Sequence, residues 1–156
     1  MGLIPITPGS FGSLLGWAMY SAGLDAPTPR VELGIALRGI ARAAIDISDG
    51  LLADLGHICE RSKMGAEIEW PTVPVAQLAR ANDLLAEIVL GGGDDYELCF
   101  TAPAAKRSAV EAAGRKARVA VTRIGRIVRG APRVRVLDSN GRAMNIGRRG
   151  FDHFRE

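Results

Sequence analysis

Ala44-Ile45-Asp46-Ile47-Ser48-Asp49-Gly50-Leu51-Leu52-Ala53-Asp54 is the stretch that decides the fold, because two structural periods meet inside it. Ala43 to Ile47 is short, apolar and partly β-branched, which reads as a buried strand. Leu51, Leu52, Leu55, Ile58 and Cys59 then recur at helical spacing and give one apolar face. Ser48 or Asp49, at the junction, suits the N-cap position, where a short oxygen side chain accepts from the orphan N–H groups of the first turn. Those N–H groups and the helix dipole favour an anion, whereas Asp46 and Asp49 repel one. A Mg²⁺ ion removes the conflict, since it takes oxygen ligands and commonly combines one or two carboxylates with phosphate oxygens. Spacing alone leaves a plainer reading open, and the frequency of acids at helix starts favours it: Asp49 caps a helix and Asp46 lies in a polar turn.

A second cluster runs Leu90-Gly91-Gly92-Gly93-Asp94-Asp95-Tyr96-Glu97-Leu98-Cys99-Phe100. Glycines allow a sharp turn or a close approach to a ligand. Period-two alternation then puts Tyr96, Leu98 and Phe100 on one face, with Asp95, Glu97 and Cys99 on the other. Glu97 is expected mid-strand, on a face that is not plainly apolar. A solvated edge strand after a flexible turn fits the same residues.

The remaining elements follow from period and punctuation. Leu14 to Ala22 is apolar and reads as a short helix, and Val31 to Ala43 as a helix with Leu33, Ala36, Leu37 and Ile40 on one face. Met64 to Trp70 reads as a strand stopped by Pro71, and Val75 to Ile88 as one or two short helices. A helix is expected from Pro103 through Ala113. Val119 to Val128 and Arg133 to Leu137 alternate like strands, and Asp138-Ser139-Asn140-Gly141 reads as a hairpin turn before Ala143. Strands interleaved with helices predict a layered α/β or α+β fold.

The two clusters, in this order and about fifty residues apart, resemble the C-terminal domain of the thiamine-monophosphate kinases, in the superfamily of AIR synthetase and selenophosphate synthetase. Pro27-Thr28-Pro29-Arg30, Thr122-Arg123-Ile124-Gly125-Arg126-Ile127 and Gly150-Phe151-Asp152-His153-Phe154 agree with it, so the resemblance runs from about Gly9 to Phe154. It implies an α+β fold with helices packed on a mixed β-sheet. It implies transfer of the γ-phosphate of ATP to thiamine monophosphate, giving thiamine diphosphate. Asp46 and Asp49 would then be Mg²⁺ ligands and Ser48 would contact ATP. Glu97 would contact the cationic thiamine substrate and Phe151 would pack on it, with Phe154 the alternative aromatic. No side chain need act as a covalent catalyst, because in-line phosphoryl transfer rests on positioning and charge neutralisation. Asp54, about 140° round the helix from Asp49, is expected outside the metal site, and His57 is expected to be a surface or packing residue.

Such kinases have a further N-terminal domain with most of the acidic metal ligands and the main dimer surface. Only Asp25 and Glu32 precede Asp46 as acids. The expected organisation is therefore residues 1–12 as a leader or remnant and 13–156 as the C-terminal-type domain, inactive alone, from a homodimeric parent. A non-catalytic remnant, or another ATP-dependent member of the superfamily, is the alternative.

The chain has 156 residues, 47% of them hydrophobic, enough for one core without staples. Two cysteines do not make a disulfide scaffold, and the first residues do not read as a signal peptide, so a reducing, cytoplasmic setting without a membrane partner is expected. Net charge is +3, but eleven basic residues lie between Arg115 and Arg149. A basic face could bind nucleic acid. Against this, Arg133-Val134-Arg135-Val136 alternates like a solvated sheet face and aromatics for base stacking are sparse, so no nucleic-acid partner is expected.

Overall fold

The structure, a computed structural model, describes residues 13–17, 29–74, 83–92 and 97–147, with backbone alone at 13–17 and 83–85. Its strands are β1 (Ser13–Trp17), β2 (Ala43–Ile47), β3 (Gly65–Glu69), β4 (Glu97–Pro103), β5 (Thr122–Val128) and β6 (Val134–Leu137). They form one six-stranded sheet in the order β2-β4-β1-β5-β3-β6. Every pairing is antiparallel except β3 with β6, so the sheet is mixed, as expected.

Helices cover both faces. α2 (Leu51–Ser62) and α3 (Asp83–Gly91) enclose a core of Ile47, Leu51, Leu55, Cys59, Ile68, Leu90, Cys99 and Ile124, all fully buried. α1 (Val31–Ala36) and α4 (Arg107–Ala117) cover the other face, around Leu33, Phe100, Ala102 and Val110. Leu98, Phe100 and Ala102 face the α1–α4 side while Cys99 faces α2, which is the strand alternation expected of β4. The stripe on α2 is the one the spacing predicts. Full burial of a leucine contributes about 1.5–3 kcal/mol, so Leu51 and Leu55 fix which side of α2 meets the sheet.

Three elements differ from expectation. Leu14 to Ala22 was expected to be helical, but Ser13–Trp17 is the strand between β4 and β5. A short apolar run has no period to separate a buried strand from a buried helix, and here pairing on both sides decides. The helix expected over Val31 to Ala43 ends at Ala36, and a turn with Gly39 at φ +72 leads into β2. Ala43 belongs to β2, where it pairs with Thr101. The third is the start of α2. Gly50 is its N-cap, with φ +115 and no side-chain cap, so neither Ser48 nor Asp49 occupies the N-cap position.

The other helices and strands lie within a few residues of their expected places, with a 3-10 turn (Ala104–Lys106) before α4. The hairpin turn forms: Asp138 N–H donates to the Arg142 carbonyl at 2.9 Å, and Leu137 bridges Ala143 antiparallel. The expected leader at 1–12 and the helix expected before Asp83 lie outside the described residues.

Gly125 fixes the centre of the sheet. A Cβ there would stand 2.0 Å from the Glu67 carbonyl oxygen, so only glycine lets β5 lie this close to β3. One row of side chains crosses the same strands. Glu67, 5% exposed, pairs in register with Arg126 on β5 and Arg135 on β6. Its carboxylate accepts from Arg126 Nε at 2.7 Å and from Arg135 Nη2. Burial pushes this carboxyl up, but the two guanidinium groups outweigh burial and hold it below the ordinary glutamate range. Part of the basic face is thus internally paired, and Arg123 adds a 3.8 Å contact with Glu69.

Candidate active site

The two sequence clusters meet at one end of the sheet. β2 pairs with β4 so that Asp46 stands opposite Leu98 and Ile47 opposite Glu97. The chain leaves β2 at Ile47, passes Ser48 and Asp49, and enters α2 through Gly50. The glycine run after α3 approaches the same point. A Cβ on Gly50 would lie 2.8 Å from the Gly92 carbonyl oxygen and 3.0 Å from the Gly91 carbonyl carbon. Two glycine backbones therefore touch where any side chain would separate them. This contact brings Gly50, the residue after the Ser48–Asp49 turn, against the start of the glycine run.

Asp54 completes the turn. It sits in the first turn of α2 and is 3% exposed. Its Oδ2 accepts from the N–H of Ser48 at 3.0 Å and of Asp49 at 3.1 Å. Burial raises the Asp54 pKa, those two hydrogen bonds lower it, and the charges of Asp49 and Asp46 raise it, the net direction being up. Asp54 thus lies within the field of both Asp49 and Asp46. Sequence spacing set Asp54 apart from the site; it touches the backbone of the site's turn. An acid in the first turn of a helix is a readable signal, because its carboxylate can reach back to backbone N–H groups that precede the helix, as Asp54 does to Ser48 and Asp49.

Glu97 is 6% exposed and opens β4, where a mid-strand position was expected. Arg30, just before α1, grips it with both ends of the fork: Nε to Oε2 at 3.0 Å and Nη2 to Oε1 at 2.7 Å. The sequence reading gave Arg30 no role, although it closes the Pro27-Thr28-Pro29-Arg30 string. A cavity of about 390 Å³ opens beside this pair, lined by Pro29, Arg30, Val31, Gly34, Asp46, Glu97 and Leu98. One wall of the Asp46 end of the site is therefore apolar with a charged pair at its edge. Phe151, Phe154, Asp94 and Asp95 lie outside the described residues. His57 is an exposed residue 3.9 Å from Glu60.

The donor chemistry bears on a metal. Asp46 is exposed and Asp49 half-buried, and both offer oxygen alone, which fits a hard cation that keeps some of its waters. No group of three His, Cys, Asp or Glu able to hold a metal occurs among the described residues. The two aspartates alone thus fall short of a full metal-ligand set. Both cysteines are free and buried, their thiols pushed up to about 11 for Cys59 and about 12 for Cys99, chiefly by burial. No helix of the described residues is long and apolar enough to cross a membrane.

A six-stranded mixed sheet with helices on both faces, and an acidic turn against a glycine run, define the class. The family model for "AIR synthase related protein, C-terminal domain" matches residues 26–137, and the chain belongs to that family. Its relatives are more particular. The thiamine-monophosphate kinase of Haemophilus influenzae is 47% identical over 136 residues, 83% of this chain and 41% of the relative. The crystal structure of thiamine-monophosphate kinase from Stenotrophomonas maltophilia K279a superposes with a TM-score of 0.71 at 36% identity, over 85% of this chain and 51% of that one. AaThiL, solved in complex with AMPPCP and TMP, shares the fold at 23% identity and a TM-score of 0.63, over 92% of this chain and 52% of that one. This chain spans about two fifths of the length of the curated relatives it matches.

Proposed function

We infer that this chain serves as the C-terminal domain of a thiamine-monophosphate kinase, in which the γ-phosphate of ATP passes to thiamine monophosphate and thiamine diphosphate forms. The observation that carries the reading is the contact of Gly50 with Gly91 and Gly92, which joins the two clusters that resemble this family. The 47% identity to the Haemophilus influenzae kinase supports the thiamine branch over the other ATP-dependent members of the superfamily.

In this reading Asp46 and Asp49 would hold Mg²⁺, and Ser48, between them in sequence, would contact ATP. Mg²⁺ supplies charge neutralisation to the phosphate oxygens when bound. The chain's own part is to orient. The Ser48–Asp49 turn presents its side chains from a fixed backbone, and the dipole of α2 points its positive end at the same place. Glu97 and Phe151 would contact the thiamine substrate. Glu97 is already paired with Arg30, so it would offer the thiazolium a carboxylate held in one orientation. No group of this chain need attack the phosphate, since in-line transfer between two bound substrates needs placement and charge compensation.

The chain covers two fifths of such an enzyme and its two aspartates are a partial ligand set, so residues outside the described ones complete the site. The 156 residues alone are expected to give no turnover. The working enzyme is a homodimer in the cytoplasm, acting on small molecules, with no nucleic-acid or membrane partner. A substrate panel tests this. The chain, joined to the N-terminal part of the Haemophilus influenzae relative, is offered Mg-ATP with thiamine monophosphate, thiamine or selenide, and products are identified by mass. Thiamine diphosphate as the main product supports the reading; a preference for another acceptor would place the chain elsewhere in the superfamily.

A further inference from the structure

We propose that Asp54 is a positioning residue of this site, whose carboxylate braces the Ser48–Asp49 turn and so sets the direction of Ser48 and Asp49. The metal-binding part of this rests on the kinase reading above; the bracing part does not. Three observations carry it. Asp54 is 3% exposed, so its carboxylate is committed to protein partners. A single oxygen, Oδ2, accepts from two consecutive backbone N–H groups, Ser48 at 3.0 Å and Asp49 at 3.1 Å. Gly50, which follows them, has φ +115 and no side chain, so no N-cap side chain holds the turn from its own side.

Those two N–H groups belong to the residues that carry the expected ATP and metal contacts. With both pointed inward at Asp54, the Ser48 and Asp49 side chains have one backbone frame from which to project. The Gly91–Gly92 backbone closes the opposite side of Gly50. Bracing needs an acceptor oxygen and not a charge, because the donors are neutral amides. This separates a brace from a third metal ligand: asparagine keeps an acceptor that can serve both N–H groups, while it removes the carboxylate a metal would require.

The test uses the full 156-residue chain, with amide hydrogen exchange read by NMR and Mn²⁺ alone as the metal probe. In Asp54→Ala, exchange at the Ser48 and Asp49 amides should rise about 10–100-fold, the loss of a buried hydrogen bond, while the amides of 56–62 keep their protection. Mn²⁺ affinity should fall about tenfold with it. Asp54→Asn should hold both readouts within about threefold of the parent. Unchanged exchange at Ser48 and Asp49 in Asp54→Ala overturns the proposal. So does Asp54→Asn losing Mn²⁺ as fully as Asp54→Ala, which would make Asp54 a ligand. Should Asp54→Ala fail to fold, the parent and Asp54→Asn decide, since a Ser48 or Asp49 amide that exchanges freely in either contradicts a brace. A parent chain that binds no Mn²⁺ but shows the expected amide pattern leaves the brace standing on the exchange readout, since the two aspartates are only part of a ligand set.

Discussion

Gly50 and Gly92 meet backbone to backbone: a Cβ on Gly50 would sit 2.8 Å from the Gly92 carbonyl oxygen. The residue that opens α2 is thereby packed against the residue that follows α3, and the acidic turn cannot move independently of the glycine run. Two sequence motifs about fifty residues apart come into contact because Gly50 has no side chain at the point where the Gly91–Gly92 backbone approaches.

Gly50→Ala tests that contact. Alanine would have to hold φ +115 and also push the Gly92 carbonyl away. Both costs act together, so a loss of about 2–4 kcal/mol is expected in urea denaturation. Gly56→Ala, on α2 where a Cβ meets nothing within 4 Å, should change stability little or raise it by up to about 1 kcal/mol. Equal effects at the two glycines would contradict the close packing at Gly50.

The Arg30–Glu97 pair links the start of α1 to the start of β4. Its side chains are 10% and 6% exposed, so removing one partner leaves a charge largely out of water. Arg30→Ala and Glu97→Ala should each cost about 3–5 kcal/mol. The double replacement should cost clearly less than the sum, because the second change removes the stranded charge. Additive effects would mean that the fork geometry contributes no coupling.

Glu67 gives a pH test with a defined sign. Arg126 and Arg135 hold its folded-state pKa below the ordinary glutamate range despite burial. A depressed pKa contributes stability above the unfolded-state value, and this is lost as pH falls through the folded-state value. The parent chain should therefore lose stability on acidification below about pH 4.5, with a steeper slope than Glu67→Gln. The measurement is urea denaturation at a series of pH values. Parallel slopes for the two proteins would remove Glu67 from the acid transition.

Much of the fold was legible because period and punctuation agreed. The α2 stripe, the β4 alternation and the Asp138–Gly141 turn each carry a local signal that the tertiary structure keeps. Ser13–Trp17 was not legible, since its strand character comes from pairing with Cys99–Pro103 and with β5, far along the chain. The site divides in the same way. Asp46, Ser48, Asp49 and Glu97 stand out as residue types in a pattern, and β2 and β4 do bring their segments side by side. Arg30 and Asp54 were missed as partners because their roles depend on which backbone folds back to meet them. Helical spacing placed the Asp54 direction away from Asp49 along an ideal helix, but Asp49 lies before the helix, in a turn that curls over Asp54.

The central claim is that Asp46 and Asp49 form part of a Mg-ATP site that phosphorylates thiamine monophosphate. The most direct measurement is the rate of thiamine diphosphate formation by the chain joined to the Haemophilus influenzae N-terminal part, with Asp46→Asn and Asp49→Asn beside the parent. The account predicts turnover by the parent and a fall of at least about 10²-fold in each variant, from the lost compensation of phosphate charge. A folded parent and variants that make thiamine diphosphate at equal rates would contradict it.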